Sequence, residues 1–90
     1  MSLENNKILF AIKDILFNNF EVKEFEYNDK DLIEFNFKNY KCEISTCKIN
    51  DKKMVLRFKN DIKYRSIFIN EELQELKEII FYFILKCLEE

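Results

Sequence analysis

Ninety residues without a single glycine or proline leave a chain few ways to reverse its direction. Glycine takes positive φ at no steric cost, and proline presets the first corner of the common turns. With both missing, sharp reversals fall to Asn and Asp, whose short polar side chains bond the neighbouring backbone and tolerate the left-handed region. Turn positions can therefore be marked along the chain: Asn28-Asp29-Lys30-Asp31, Lys38-Asn39, Asn50-Asp51-Lys52-Lys53 and Lys59-Asn60-Asp61.

Between these marks apolar and polar residues alternate with period two, the signature of half-buried strands. Ile33, Phe35 and Phe37 alternate with Glu34, Asn36 and Lys38, and a two-residue turn sets Tyr40 opposite Phe37, carrying one face on through Cys42 and Ile44. Met54, Leu56 and Phe58 extend that face. A three-residue loop is expected to pair Phe58 with Ile62, which keeps Tyr64 and Phe68 on the same face with Ser66 as a small gap. Residues 22–27, with Lys23, Phe25 and Tyr27 in phase and Val22 opposed, are the candidate fifth strand, and the pattern leaves open whether the sheet has four strands or five.

The chain ends follow the helical period instead. Ile8, Leu9, Ile12, Ile15, Leu16 and Phe20 share one side of a helix, with Ser2 as its N-cap. Near the other end, Asn70 before Glu71 and Glu72 suits a helix start, a capping side chain followed by acids at the positive end of the dipole. Leu73, Leu76, Ile80, Phe83, Ile84 and Cys87 form its apolar stripe. The expected fold is α+β: an N-terminal helix, a four- or five-stranded antiparallel β-meander and a C-terminal helix, with both helices on one face of the sheet. Residues 1–90 make a single domain.

Several chemistries lack their residues. There is no histidine, the commonest general acid or base and a frequent metal ligand. Without glycine there is no phosphate loop, dinucleotide fingerprint or nucleophile elbow. Cys42 and Cys47, an odd distance apart on one strand, project to opposite faces and cannot share a metal with Cys87 without a bulge. Glu24 and Glu26 share a strand side, the pattern of a solvated strand face rather than of an acid–base pair. The expectation is a protein that is not an enzyme, with no cofactor, no metal and no small-molecule substrate.

The longest apolar run, Ile79–Leu85, is too short to cross a bilayer. The start of the chain is polar, and the three cysteines fit a reducing compartment. Thirteen Lys against two Arg, ten Asn and twelve Ile, with Gly and Pro missing, match AT-rich codons. A cytoplasmic protein of bacterial or phage-infected cells is expected, with no membrane partner.

Charge is distributed unevenly. The net charge is −3 over residues 1–39, +5 over 40–70 and −4 over 71–90. In the expected register Lys41, Arg57, Lys59, Lys63 and Arg65 make a basic sheet face that could follow a phosphate backbone. Glu21, Glu24, Glu26, Asp29, Asp31 and Glu34 make an acidic strip suited to a basic groove on a protein. Phe10 and Phe17 lie off the stripe of the first helix, and Tyr82 and Leu85 off that of the last. They make a candidate apolar interface.

The segment from Arg65 to Ile80, a strand running through a cap into a helix, resembles the end of the single-stranded-DNA-binding transcriptional-coactivator domain, a curved sheet followed by a helix. The likeness covers about 16 of 90 residues, and the N-terminal helix has no counterpart in that family. The resemblance implies nucleic-acid binding. Size, missing catalytic groups, segregated charge and spare apolar helix surface point first to another class. That class is a protein-binding module or self-associating homodimer, acting by surface occlusion as small phage-type inhibitors of bacterial complexes do, anti-CRISPR proteins among them. A nucleic-acid-binding regulator using the basic sheet face is the alternative.

Overall fold

Helix α1 (Asn5–Phe20) buries Ile8, Leu9, Ile12 and Leu16 along the stripe that the 3.6-residue period marks. The computed structural model describes residues 4–29, 31–70 and 75–89. After α1 come β1 (Glu26–Asp29), β2 (Leu32–Phe37), β3 (Tyr40–Asn50), β4 (Lys53–Lys59), β5 (Tyr64–Asn70) and α2 (Leu76–Glu89). The strands form one antiparallel sheet in the order β1-β2-β3-β4-β5. Both helices lie on the same face, α1 against β3, α2 against β5, and the two against each other. The α+β architecture expected from the sequence is the one observed. No helix among the described residues is long and apolar enough to cross a membrane.

The turns show how a chain without glycine manages. Lys38 and Asn39, at φ 50° and 70°, form the two-residue reversal that pairs Phe37 with Tyr40. This is the doubly left-handed hairpin turn whose twist matches the strands. A left-handed lysine costs roughly 1–2 kcal/mol in sterics that glycine would avoid. Glu21 takes the same conformation (φ 58°) at the end of α1. Its N–H turns back to the Leu16 carbonyl, as does that of the buried Val22 at 3.1 Å. Elsewhere side chains do the work: the Lys52 N–H donates to Asn50 Oδ1 at 2.8 Å. Asn60 Oδ1 accepts from Ile62 N–H at 2.9 Å and from Lys63 N–H at 2.8 Å.

The Asn60 turn overturns the expected register of the last strand. The Asn60 N–H donates to the Lys63 carbonyl at 3.0 Å, so Asp61 and Ile62 alone form the loop and Phe58 pairs with Arg65, not with Ile62. An odd displacement moves every side chain to the other face. Ile67 and Ile69 therefore point to the helices, Ile69 buried and Ile67 packed on the core. Tyr64 and Phe68 face away from the helices, 62% and 63% exposed. Tyr40 and Ile62, expected on the core face, are exposed as well.

Three boundaries also shift. Residues 22–25 are not a strand; β1 begins at Glu26, and its ladder with β2 is irregular between Tyr27 and Asp29. Glu4, with no side-chain cap bond, stands at the N-cap of α1, and Ser2 lies outside the described residues. Asn70 ends β5 rather than capping α2, which begins at Leu76. Glu71, Glu72 and Leu73 lie outside the described residues.

The core sits between the helices and the inner sheet face. Ile12 and Leu16 of α1, Ile80 and Ile84 of α2, and Ile33, Ile44, Met54, Leu56 and Phe58 of the sheet are all essentially inaccessible. Each such side chain contributes about 1.5–3 kcal/mol by leaving water. The last turn of α2 is tied to the sheet by cations. Lys63 Nζ donates to the carbonyls of Lys86 and Cys87 at 3.3 and 3.1 Å, a favourable place for positive charge on the helix dipole. Lys38 Nζ reaches Glu89 at 3.5 Å.

Candidate interaction surface

The ladder registers lay out the sheet face turned away from the helices. One row across it reads Glu26, Glu34, Glu43, Lys59, Tyr64, and the next Ser45, Arg57, Ser66. A third reads Cys47, Val55, Phe68, with Lys53 beyond it. The face is thus acidic over β1 and β2 and basic with aromatic side chains over β4 and β5. Lys53 Nζ lies 4.8 Å from the centre of the Phe68 ring, and Val55 is buried beneath its neighbours. A buried aliphatic residue beside exposed rings and an arginine is the composition that anchors protein contacts.

The expected basic face is divided by the register of β5. Arg57 and Lys59 lie on it. Arg65, paired with Phe58, points to the helix side, where it lines a hollow with Ile67, Tyr82 and Lys86. Lys63 is spent on the end of α2. Lys41 stays on the outer face but is held by Glu34 at 3.0 Å. The hydrogen bond and charge of Glu34 raise its pKa further above the ordinary lysine value.

The acidic strip is broken up too. Glu21 closes α1, Asp29 closes β1, and Asp31 Oδ1 accepts from Asn5 Nδ2 at 2.7 Å. Glu24, Glu26 and Glu34 come together around a hollow with Phe25 and Phe35. Glu43, which the sequence reading left out, extends this acidic half.

The apolar candidates separate into two places. Phe10 and Phe17 are exposed and share a hollow of about 200 Å³ with Lys13, Asp14 and Phe25, near the β1 side. Tyr82 is exposed at the opposite edge, where the hollow beside β5 measures about 490 Å³. Leu85 is half-buried.

Sequence reasoning missed Tyr64, Phe68, Val55 and Lys53 as surface-forming residues. The signal was there in the pairing of types. In the inward set Arg65 stands near the start of the strand and the residues that follow, Ile67 and Ile69, are purely aliphatic, whereas the outward set Tyr64, Ser66, Phe68 contains a hydroxyl-bearing ring and a serine, the better set for water.

The cysteines fall as the strand alternation requires: Cys42 and Cys87 are buried, Cys47 is exposed on the outer face. Burial pushes the Cys87 thiol up to about 12 and raises that of Cys42, the opposite of an activated nucleophile. Among the described residues no group of three or more His, Cys, Asp or Glu is placed to hold a metal ion. No family model, curated protein or solved structure matches the chain.

Proposed function

We propose that the chain is a non-catalytic protein-binding module whose docking surface is the outer face of the sheet. The observation that carries this is the exposure of Tyr64 and Phe68 on that face, at 62% and 63%, beside Arg57 and Lys59. Tyrosine and arginine are the residues most enriched among binding hot spots. The charge pattern favours protein over polyanion as the partner. A nucleic-acid strand would meet Glu26, Glu34 and Glu43 on the same face, whereas a protein surface can match an acidic half and a basic half together. Such a module works by occupying its partner's surface. The bias toward residues with AT-rich codons supports, by analogy, a reading as a small phage-type inhibitor of a bacterial complex.

Capture from a lysate of the source cells tests this reading. The wild-type chain should retain a partner whose recovery falls at least about tenfold with Tyr64→Ala/Phe68→Ala, as expected for loss of hot-spot anchors. Undiminished recovery would refute it. A single-stranded nucleic acid is the second reading, favoured by the same rings standing among Arg57, Lys59 and Lys53, since rings on a basic sheet stack bases. Labelled oligonucleotides in a salt series decide it. Affinity that drops steeply with salt and is lost in Arg57→Ala/Lys59→Ala supports nucleic acid, and no binding at low salt removes it.

A further inference from the structure

The two edges of the sheet are built differently. Edge strand β1 is four residues long with an irregular ladder, both of which discourage pairing with another chain. Edge strand β5 pairs with β4 without a break over seven residues, and the described residues place no strand beyond it. No proline or bulge blunts it, and its one charged side chain, Arg65, turns to the helix side into the hollow beside α2.

Which backbone groups β5 offers follows from the turn before it. Asn60 and Lys63 bond across the hairpin, and bonded pairs alternate with unbonded ones along an antiparallel ladder. Arg65, Ile67 and Ile69 therefore direct their N–H and C=O groups at β4, and Tyr64, Ser66 and Phe68 direct theirs at the open edge. Below that edge lies the 490 Å³ hollow between β5 and α2.

We infer that the occupant of this edge is a second copy of the chain, related by a two-fold axis through Ser66 and perpendicular to the sheet. The two β5 strands then run antiparallel, with Ser66 opposite Ser66 and Tyr64 opposite Phe68 of the copy. Two N–H···O bonds per facing pair satisfy the open-edge groups of all three residues. The small serine sits at the axis, and an aromatic cross-strand pair forms on either side of it.

Charge complementarity on α2 argues for a copy rather than an unrelated strand. Glu78, Tyr82 and Lys86 recur at i, i+4 and i+8 along the helix, all exposed, and Tyr82 and Lys86 border the hollow beside Ser66. The helix runs antiparallel to β5, because Lys63, just before the strand, holds the carbonyls of Lys86 and Cys87 near the end of α2. A two-fold axis near Tyr82 sets α2 antiparallel to its copy. Glu78 of each chain then faces Lys86 of the other, and Tyr82 is buried between them. The ten-stranded sheet that results has one continuous outer face, so the inference extends the docking surface without depending on what binds there.

Light scattering and sedimentation over a concentration series test the dimer. The wild type should reach twice the 11.1 kDa chain mass, with the amide protons of Tyr64, Ser66 and Phe68 more slowly exchanging as the concentration rises. Ser66→Pro removes a donor that points away from β4, so the variant should keep its circular dichroism and halve its mass. Glu78→Lys and Lys86→Glu should each shift the population to monomer at low salt, and the double exchange should restore the dimer, even if the proline variant fails to fold. A wild type that stays monomeric at all concentrations overturns the inference, and so does a dimer indifferent to these substitutions. Either result leaves the outer-face test unaffected.

Discussion

Cys87 lies on the buried stripe of α2 with its thiol pushed up to about 12 by the loss of water around it. Below the ordinary thiol value of 9.0 the group is neutral in folded and unfolded chains alike and its contribution is fully present. Between about 9.0 and about 12 the unfolded chain gives up the proton while the folded chain keeps it. Alkali therefore favours unfolding, and the contribution is lost as pH rises through the folded value. The urea midpoint should fall between these limits, and fall less in Cys87→Val. An identical alkaline fall in that variant would remove Cys87 as the cause. Lys41, whose pKa is also raised, acts in the same direction, so the comparison of the two proteins isolates the thiol. Glu21 and Lys38 illustrate a different residue-level cost. Both hold a positive φ where most chains would place glycine, and the strain is accepted because each closes an element whose packing outweighs it.

At the level of elements, the hairpin between β4 and β5 decides what the outer face contains. One side chain closes it: Asn60 Oδ1 receives the N–H groups of Ile62 and Lys63. Asn60→Ala leaves both donors without that acceptor and should lower stability by about 1–3 kcal/mol. Asp61→Ala, at an exposed loop position, should change it by no more than about 0.5 kcal/mol. Urea titration followed by far-ultraviolet circular dichroism reads both; equal effects would show that the loop is not held by Asn60. The same hairpin illustrates why the turn chemistry was legible and its consequence was not. Asn60 marks the reversal in the sequence, but loops of two and three residues are both compatible with it. The choice between them flips Tyr64, Ser66 and Phe68 against Arg65, Ile67 and Ile69.

At the scale of the molecule, one cluster of buried residues joins both helices to the sheet. Ile12 on α1 and Ile80 on α2 are both fully inaccessible. Ile12→Ala and Ile80→Ala should each destabilise the whole chain by about 2–5 kcal/mol. Each variant should still unfold in one transition by circular dichroism and by ring absorbance. Separate melting of either helix would contradict a shared core. The order of elements, the buried stripes of both helices and the inner faces of β2, β3 and β4 were determined by the sequence itself. They are periodic patterns, and burial follows from period alone. The candidate surfaces were not legible in that way. The basic face, the acidic strip and the apolar patch were each drawn from neighbours along the chain. Their members are brought together or parted by ladder register and by which helix end meets which hairpin. Tertiary pairing sent Arg65 and Lys63 to α2 and turned Tyr64 and Phe68 outward, because a strand shifted by an odd number of residues exchanges its faces entire.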